Sequence, residues 1–164
     1  MNPRRRGPAG FTLIEVLVVL VIVGVIVTLA AVRFGESDGS RLGREAERLA
    51  ALLEVASDEA IASGTTLGWR PDGRGYRFWK RQGNTWLPLD DNETLRPREL
   101  PEGMLIDEVR VNLVPLADEE RVAFAPSGVN APFSLRLRGP GGERRLQADA
   151  VGRIEETASV APAS

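Results

Sequence analysis

The chain has 164 residues, a formal charge of −2, and neither cysteine nor histidine. That length leaves room for one domain beyond an N-terminal segment, and the missing residue types exclude disulfides, thiol nucleophiles, histidine-ligated zinc and Ser-His-Asp catalysis. The acidic balance argues against a polybasic nucleic-acid binder; Lys80 is the only lysine among 21 basic residues, which reads as compositional bias rather than phosphate recognition.

The N-terminus begins with Arg4, Arg5 and Arg6, then Gly10, then an apolar run from Phe11 to Val32 interrupted by one carboxylate, Glu15. As an α-helix this run extends roughly 33 Å, close to the ~30 Å hydrocarbon core of a bilayer. A single strand in lipid would leave its backbone unpaired, so the expectation is a helical span. The arginines before it, with Glu36 and Asp38 following Arg33, put residues 1–10 in the cytoplasm and translocate the rest. A cleaved secretory signal is the plain alternative, with Thr28 and Ala30 as a loose cleavage site. Against it, the apolar run is longer than the usual ~7 to 15 residues, and a carboxylate near its start hinders insertion to no purpose if the segment is discarded.

Gly10-Phe11-Thr12-Leu13-Ile14-Glu15, followed by Val16-Leu17-Val18-Val19-Leu20, resembles the N-terminal signal of type IV pilins and type II secretion pseudopilins. The resemblance implies that a prepilin peptidase cuts between Gly10 and Phe11 on the cytoplasmic side, that the new amino group of Phe11 is methylated, and that the apolar helix is kept. It also implies that Glu15 meets the N-terminal ammonium of a neighbouring subunit, an attraction strengthened by apolar surroundings. Without the motif, a tolerated interfacial Glu is the competing reading.

Gly35 to Ser40 carries two glycines and predicts a flexible joint. From Arg41, the apolar positions Leu42, Ala46, Leu49, Leu53, Ala56 and Ala60 recur at helical spacing, predicting an amphipathic helix that ends near Ser63 with Gly64 as its stop. After Gly64 the period falls to two. Leu67 to Arg70, Tyr76 to Arg81 and Trp86 to Leu89 predict a three-stranded meander joined by Gly-rich turns. Leu105 to Val114, Arg121 to Ala125, Phe133 to Arg138 and Glu143 to Ala148 predict a second sheet, punctuated by Pro and Gly. The small, polar residues from Thr157 to Ser164 predict a frayed tail.

The expected architecture is therefore α+β and pilin-like, with a long N-terminal helix, half membrane and half amphipathic periplasmic, packed on antiparallel sheets. Its divisions are a leader at 1–10, a transmembrane and polymerisation helix at 11–33, a link and amphipathic helix at 34–63, a periplasmic β domain at 64–156 and a flexible tail at 157–164. Glu45 to Gly64, Val122 to Gly128, Pro132 to Leu135 and Gly152-Arg153-Ile154 resemble the GspH/FimT family of minor pseudopilins. That resemblance implies a non-enzymatic subunit of the type II secretion pseudopilus, assembled near its tip beside the major pseudopilin and the minor I, J and K types, and placed as a single-pass inner-membrane protein with its C-terminal domain in the periplasm. A FimT-like minor pilin that captures DNA for uptake is the alternative.

Two further clusters invite chemistry. Asp90, Asp91, Asn92 and Glu93 offer oxygen ligands but lack the spaced ligand pattern of a calcium loop, and read as a solvated loop. Strand alternation places Tyr76 and Phe78 on one face, as core, and Arg77, Trp79 and Arg81 on the other. With Lys80, these last form a candidate surface for a protein partner, where Trp and Arg are favoured, or for single-stranded DNA. Gly139 to Gly142 lacks the Lys-Ser/Thr pair of a phosphate loop and Ser127 has no base, so no catalytic residue and no cofactor is expected.

Overall fold

A computed structural model describes residues 13–34 and 38–159. It divides into two units, 1–37 and 38–164. The first contains helix α1, Leu13–Phe34, of 22 residues. Its described side chains, Leu13 to Ile26, are exposed.

The expected membrane half is not borne out. Among the described residues no helix is long and apolar enough to cross a membrane. The expected single-pass inner-membrane placement goes with it. Of the expected flexible joint, residues 35–37 lie outside the described residues, while Asp38, Gly39 and Ser40 form the first turn of α2.

In the second unit, α2 runs Asp38–Ser63 and buries Leu42, Ala46, Leu49, Leu53, Ala56 and Ala60 as one stripe. The alanines in that stripe have no bulk to hold the sheets away, while Glu47, Asp58 and Glu59 stay in water. The helix stops in a Schellman arrangement: Gly64 N–H donates to Ile61 C=O at 3.3 Å and Thr65 N–H to Ala60 C=O at 3.2 Å.

The first sheet is ordered β3-β2-β1-β7, with β4 also on β2. Its strands are β1 Leu67–Asp72, β2 Gly75–Gln82, β3 Thr85–Pro88, β4 Arg98–Glu99 and β7 Val122–Phe124. The meander follows from two-residue turns that begin with Gly73 and Gly83, each at φ 60°, the conformation a type II′ hairpin demands at its first loop position. The second sheet is ordered β10-β9-β8-β5-β6, from β5 Leu105–Val111, β6 Val114–Pro115, β8 Phe133–Gly139, β9 Gly142–Ala148 and β10 Ile154–Ser159.

The structure departs from the expected strands in three places. The strand around Val122 joins the first sheet, pairing Gly68 with Ala123, because Val122 and Phe124 bury against the core beside Trp69 and Leu67. Leu105 to Val114 splits into β5 and β6, since Asn112 and Leu113 both adopt positive φ, 50° and 68°, as a tight reversal requires. The last strand continues to Ser159, into the expected tail, by pairing with β9.

Both sheets and α2 share one core, in which Trp69, Tyr76, Phe78, Leu53 and Leu137 are essentially fully buried. Phe124 of the first sheet and Phe133 of the second meet edge-to-face at 6.1 Å, tying the layers together. A polar tie crosses the same core: Asn130 Nδ2 donates to Ser57 Oγ at 3.2 Å, while Asn130 Oδ1 accepts from Ala125 N–H at 2.7 Å. Buried polar atoms must be paired, so this asparagine fixes the loop between β7 and β8 against α2.

Candidate assembly interface

Gly10 and Phe11 lie outside the described residues. Glu15 sits in the first turn of α1, among the exposed side chains of Leu13, Ile14, Val16 and Leu17. A carboxylate in such surroundings loses solvation if an apolar surface covers it, and its attraction for a cation then rises.

The predicted surface set Arg77, Trp79, Lys80 and Arg81 is only partly brought together. Arg77, Trp79 and Arg81 share the outer face of β2, whereas Lys80 pairs with Leu67 and Leu87 on the opposite side of the pleat and is exposed. Arg77 is engaged by Asp72 at 3.3 Å and Asp90 at 3.9 Å. Trp79 is 9 % exposed, because the Arg121 guanidinium lies over its ring, 4.5 Å from the centroid. Arg121 also stacks on Trp86 at 5.5 Å, and Arg81 lies 5.9 Å from the same ring. The result is a row, Trp79, Arg121, Trp86, Arg81, in which cations alternate with indoles.

Sequence reading missed Arg121 and Gly68, the two residues that build this row. Gly68 faces Trp79 on one side and Ala123 on the other, and a Cβ there would stand 2.8 Å from the Trp86 ring and 3.2 Å from Arg121. Only glycine leaves a flat bed for the indole. The outward parity of Gly68 was legible in the strand, but the arrival of Arg121 depends on β7 joining this sheet. Burial, and then the charge of neighbouring Arg70, pushes the Arg121 pKa down. Among the described residues Arg70, Arg81 and Arg121 form no ion pair; Arg121 Nη1 donates to the Glu119 carbonyl at 2.8 Å and Arg70 Nε to the Pro71 carbonyl at 3.3 Å.

The outer face of the second sheet is built differently. Arg136 meets Asp107 and Glu108, each at 2.8 Å, and Glu143 at 3.7 Å. Arg138 meets Asp107 at 3.1 Å. The Asp107 hydrogen bond raises the Arg136 pKa.

Among the described residues one carboxylate is buried. Glu45 of α2 is 6 % exposed, and burial raises its pKa against the opposing pull of Arg48, whose Nη1 stands 3.4 Å from Oε2. Tyr76 above it is pushed up to about 12, first by burial and then by the Glu45 charge. In the acidic loop, Asn92 Oδ1 accepts from the Thr94 and Leu95 N–H groups at 2.9 and 2.8 Å, an Asx-type turn. Among the described residues no cluster of acidic side chains is arranged to hold a metal.

Against known proteins, the family model for type II transport protein GspH matches residues 45–152, and that for the prokaryotic N-terminal methylation motif matches residues 5–31. The type II secretion system protein H of Pseudomonas aeruginosa is 35 % identical over 155 residues, covering 84 % of this chain and 88 % of that one. Its counterpart in Aeromonas hydrophila is 28 % identical over 172 residues, covering 92 % and 94 %. A crystal structure of the minor pseudopilin EpsH from the type II secretion system of Vibrio cholerae superposes with a TM-score of 0.62 at 23 % identity, covering 76 % of this chain and 99 % of that one. With an N-terminal methylation motif, the GspH domain and a pilin-like fold in one polypeptide, the chain belongs to the GspH family and is a minor pseudopilin of the type II secretion system, a structural subunit and not an enzyme.

Proposed function

We propose that prepilin peptidase cleaves this chain between Gly10 and Phe11 and methylates the Phe11 amine, and that the subunit then enters the pseudopilus near its tip, beside the major pseudopilin and the minor I, J and K types. Glu15 provides the register by pairing with the N-terminal ammonium of an adjacent subunit. The observation that carries this reading is a lone carboxylate in the first turn of α1, surrounded by exposed apolar side chains, inside a matched methylation motif. α1 is the polymerising element in this scheme, and the β domain selects the neighbours.

The test separates processing from assembly. Gly10→Val is expected to stay uncleaved, because a β-branched side chain does not fit a site that selects a small residue; mass spectrometry showing methylated Phe11 at the N-terminus of that variant contradicts the cleavage site. Glu15→Val is expected to be cleaved and methylated normally yet to be depleted at least tenfold from sheared pseudopili. Wild-type incorporation of Glu15→Val removes the charge-pairing role.

A further inference from the structure

The first sheet's outer face carries three arginines, Arg70, Arg81 and Arg121, that form no ion pair among the described residues, although the Glu119 charge acts on Arg121 from a distance. Asp72 and Asp90 hold Arg77, and Glu119 presents its backbone carbonyl to Arg121. Arg121 is clamped between two indoles, so its side-chain entropy is lost before any partner arrives, which favours binding. A planar cation held in place by ring faces, its charge not neutralised by an ion pair, is suited to a carboxylate.

We infer that this face, centred on Arg121 between Trp79 and Trp86 and flanked by Arg70 and Arg81, docks an acidic protein segment of a different pseudopilus subunit. This deepens the assembly reading and rests on it. Charge complementarity selects the occupant: of the arginines on this face, among the described residues, only Arg77 forms an ion pair, with Asp72 and Asp90, the reverse of the second sheet, where each of Arg136 and Arg138 already meets a carboxylate. The patch spans β7 to β3, three strand spacings or about 14 Å, a width matched by a short peptide carrying two or three carboxylates. A single-stranded nucleic acid needs a longer basic track, and here Asp72, Asp90 and Glu119 border the row.

The experiment uses the full chain in non-ionic detergent with fluorescein-labelled hexaglutamate as the probe, read by anisotropy and by tryptophan emission. Hexaglutamate is expected to bind in a salt-sensitive way, and Arg70→Gln/Arg81→Gln, both at the surface and outside the core, is expected to weaken it at least tenfold. Arg121→Gln is expected to do the same, and Arg138→Gln on the other sheet to change it less than twofold. Equal binding by wild type and the Arg70→Gln/Arg81→Gln variant, or equal loss with Arg138→Gln, overturns the inference. Tighter binding of labelled hexathymidylate at the same residues assigns the face to nucleic acid and overturns it as well, as does a dimer in sedimentation that Arg70→Gln/Arg81→Gln abolishes. In cells this variant is expected to retain methylated Phe11, so failure of the docking face and failure of the processing scheme give different results.

Discussion

The two sheets turn rows of arginine outward and put them to opposite uses. On the second sheet Arg136 meets Asp107, Glu108 and Glu143; Glu108 lies at a φ of 50° in an irregular stretch of β5, where register shifts between Asp107 and Arg110. On the first, Arg121 and Arg81 lie on indoles. A carboxylate mesh neutralises its cations and closes the surface, whereas an indole supports a guanidinium through its ring face and leaves its charge unpaired, even where neutral oxygens take its N–H groups, as Gly83 and Asn84 do for Arg81. The difference teaches that counting arginines on a strand says little about binding; the facing residue decides whether the charge is spent.

The comparison breaks most sharply at Gly68. Gly68→Val places branched carbon where a Cβ alone would already stand 2.8 Å from the Trp86 ring, so the indole must leave its bed. Overpacking of this kind costs about 1 to 3 kcal/mol, and a urea titration followed by circular dichroism should show it along with a shifted tryptophan emission. An unchanged emission spectrum with full stability would mean that the Trp86 bed is not the constraint described.

Next comes Arg136→Gln, which leaves Asp107, Glu108 and Glu143 facing one another without their shared cation. The expected outcome is a lower urea midpoint, with a loss larger than that of Arg138→Gln because Arg138 contacts Asp107 alone among these three. If the two variants unfold alike, the mesh has no centre.

Glu45 tests the layer beneath the first sheet. Its folded pKa lies above the usual 4.5, so the folded state holds the proton more tightly than the unfolded chain. Its stabilising contribution is fully present below about pH 4.5 and is lost as pH rises through the folded value. Glu45→Gln carries no such charge. Its stability relative to the wild type should therefore increase as pH is raised from 4 to 8, measured by urea midpoints at each pH. A constant difference across that range would show that Glu45 titrates normally.

Much of this was legible in the sequence, and the limits have a physical cause. Local periodicity located α2 through Leu42, Leu49 and Leu53, and turn chemistry located the meander through Gly73 and Gly83, because these signals involve residues a few positions apart. The alternation Tyr76, Arg77, Phe78 also assigned the inward aromatics. What alternation cannot give is the partner strand. Arg121 lies 42 positions from Trp79 in sequence, and their stacking exists only because Val122 and Phe124 bury beside β1. The membrane half failed for another reason: length and hydropathy of Phe11 to Val32 suggested a span, but no described helix meets that requirement.

The smallest expected effect is the most discriminating. Arg121→Gln keeps a polar side chain between Trp79 and Trp86 but removes the cation, and a cation–π contact contributes from about 0.5 kcal/mol when exposed to about 2 kcal/mol when desolvated. Because ring and guanidinium touch directly, added salt should screen that contribution little, while the more open pair of Arg138 and Asp107 is screened more strongly. Raising salt from 0.05 to 1 M should therefore leave the stability deficit of Arg121→Gln nearly unchanged and shrink that of Arg138→Gln. Equal salt responses would mean that Arg121 is held by long-range attraction to acids such as Glu119 and not by the indoles, and the contrast between the two faces would reduce to the number of carboxylates on each.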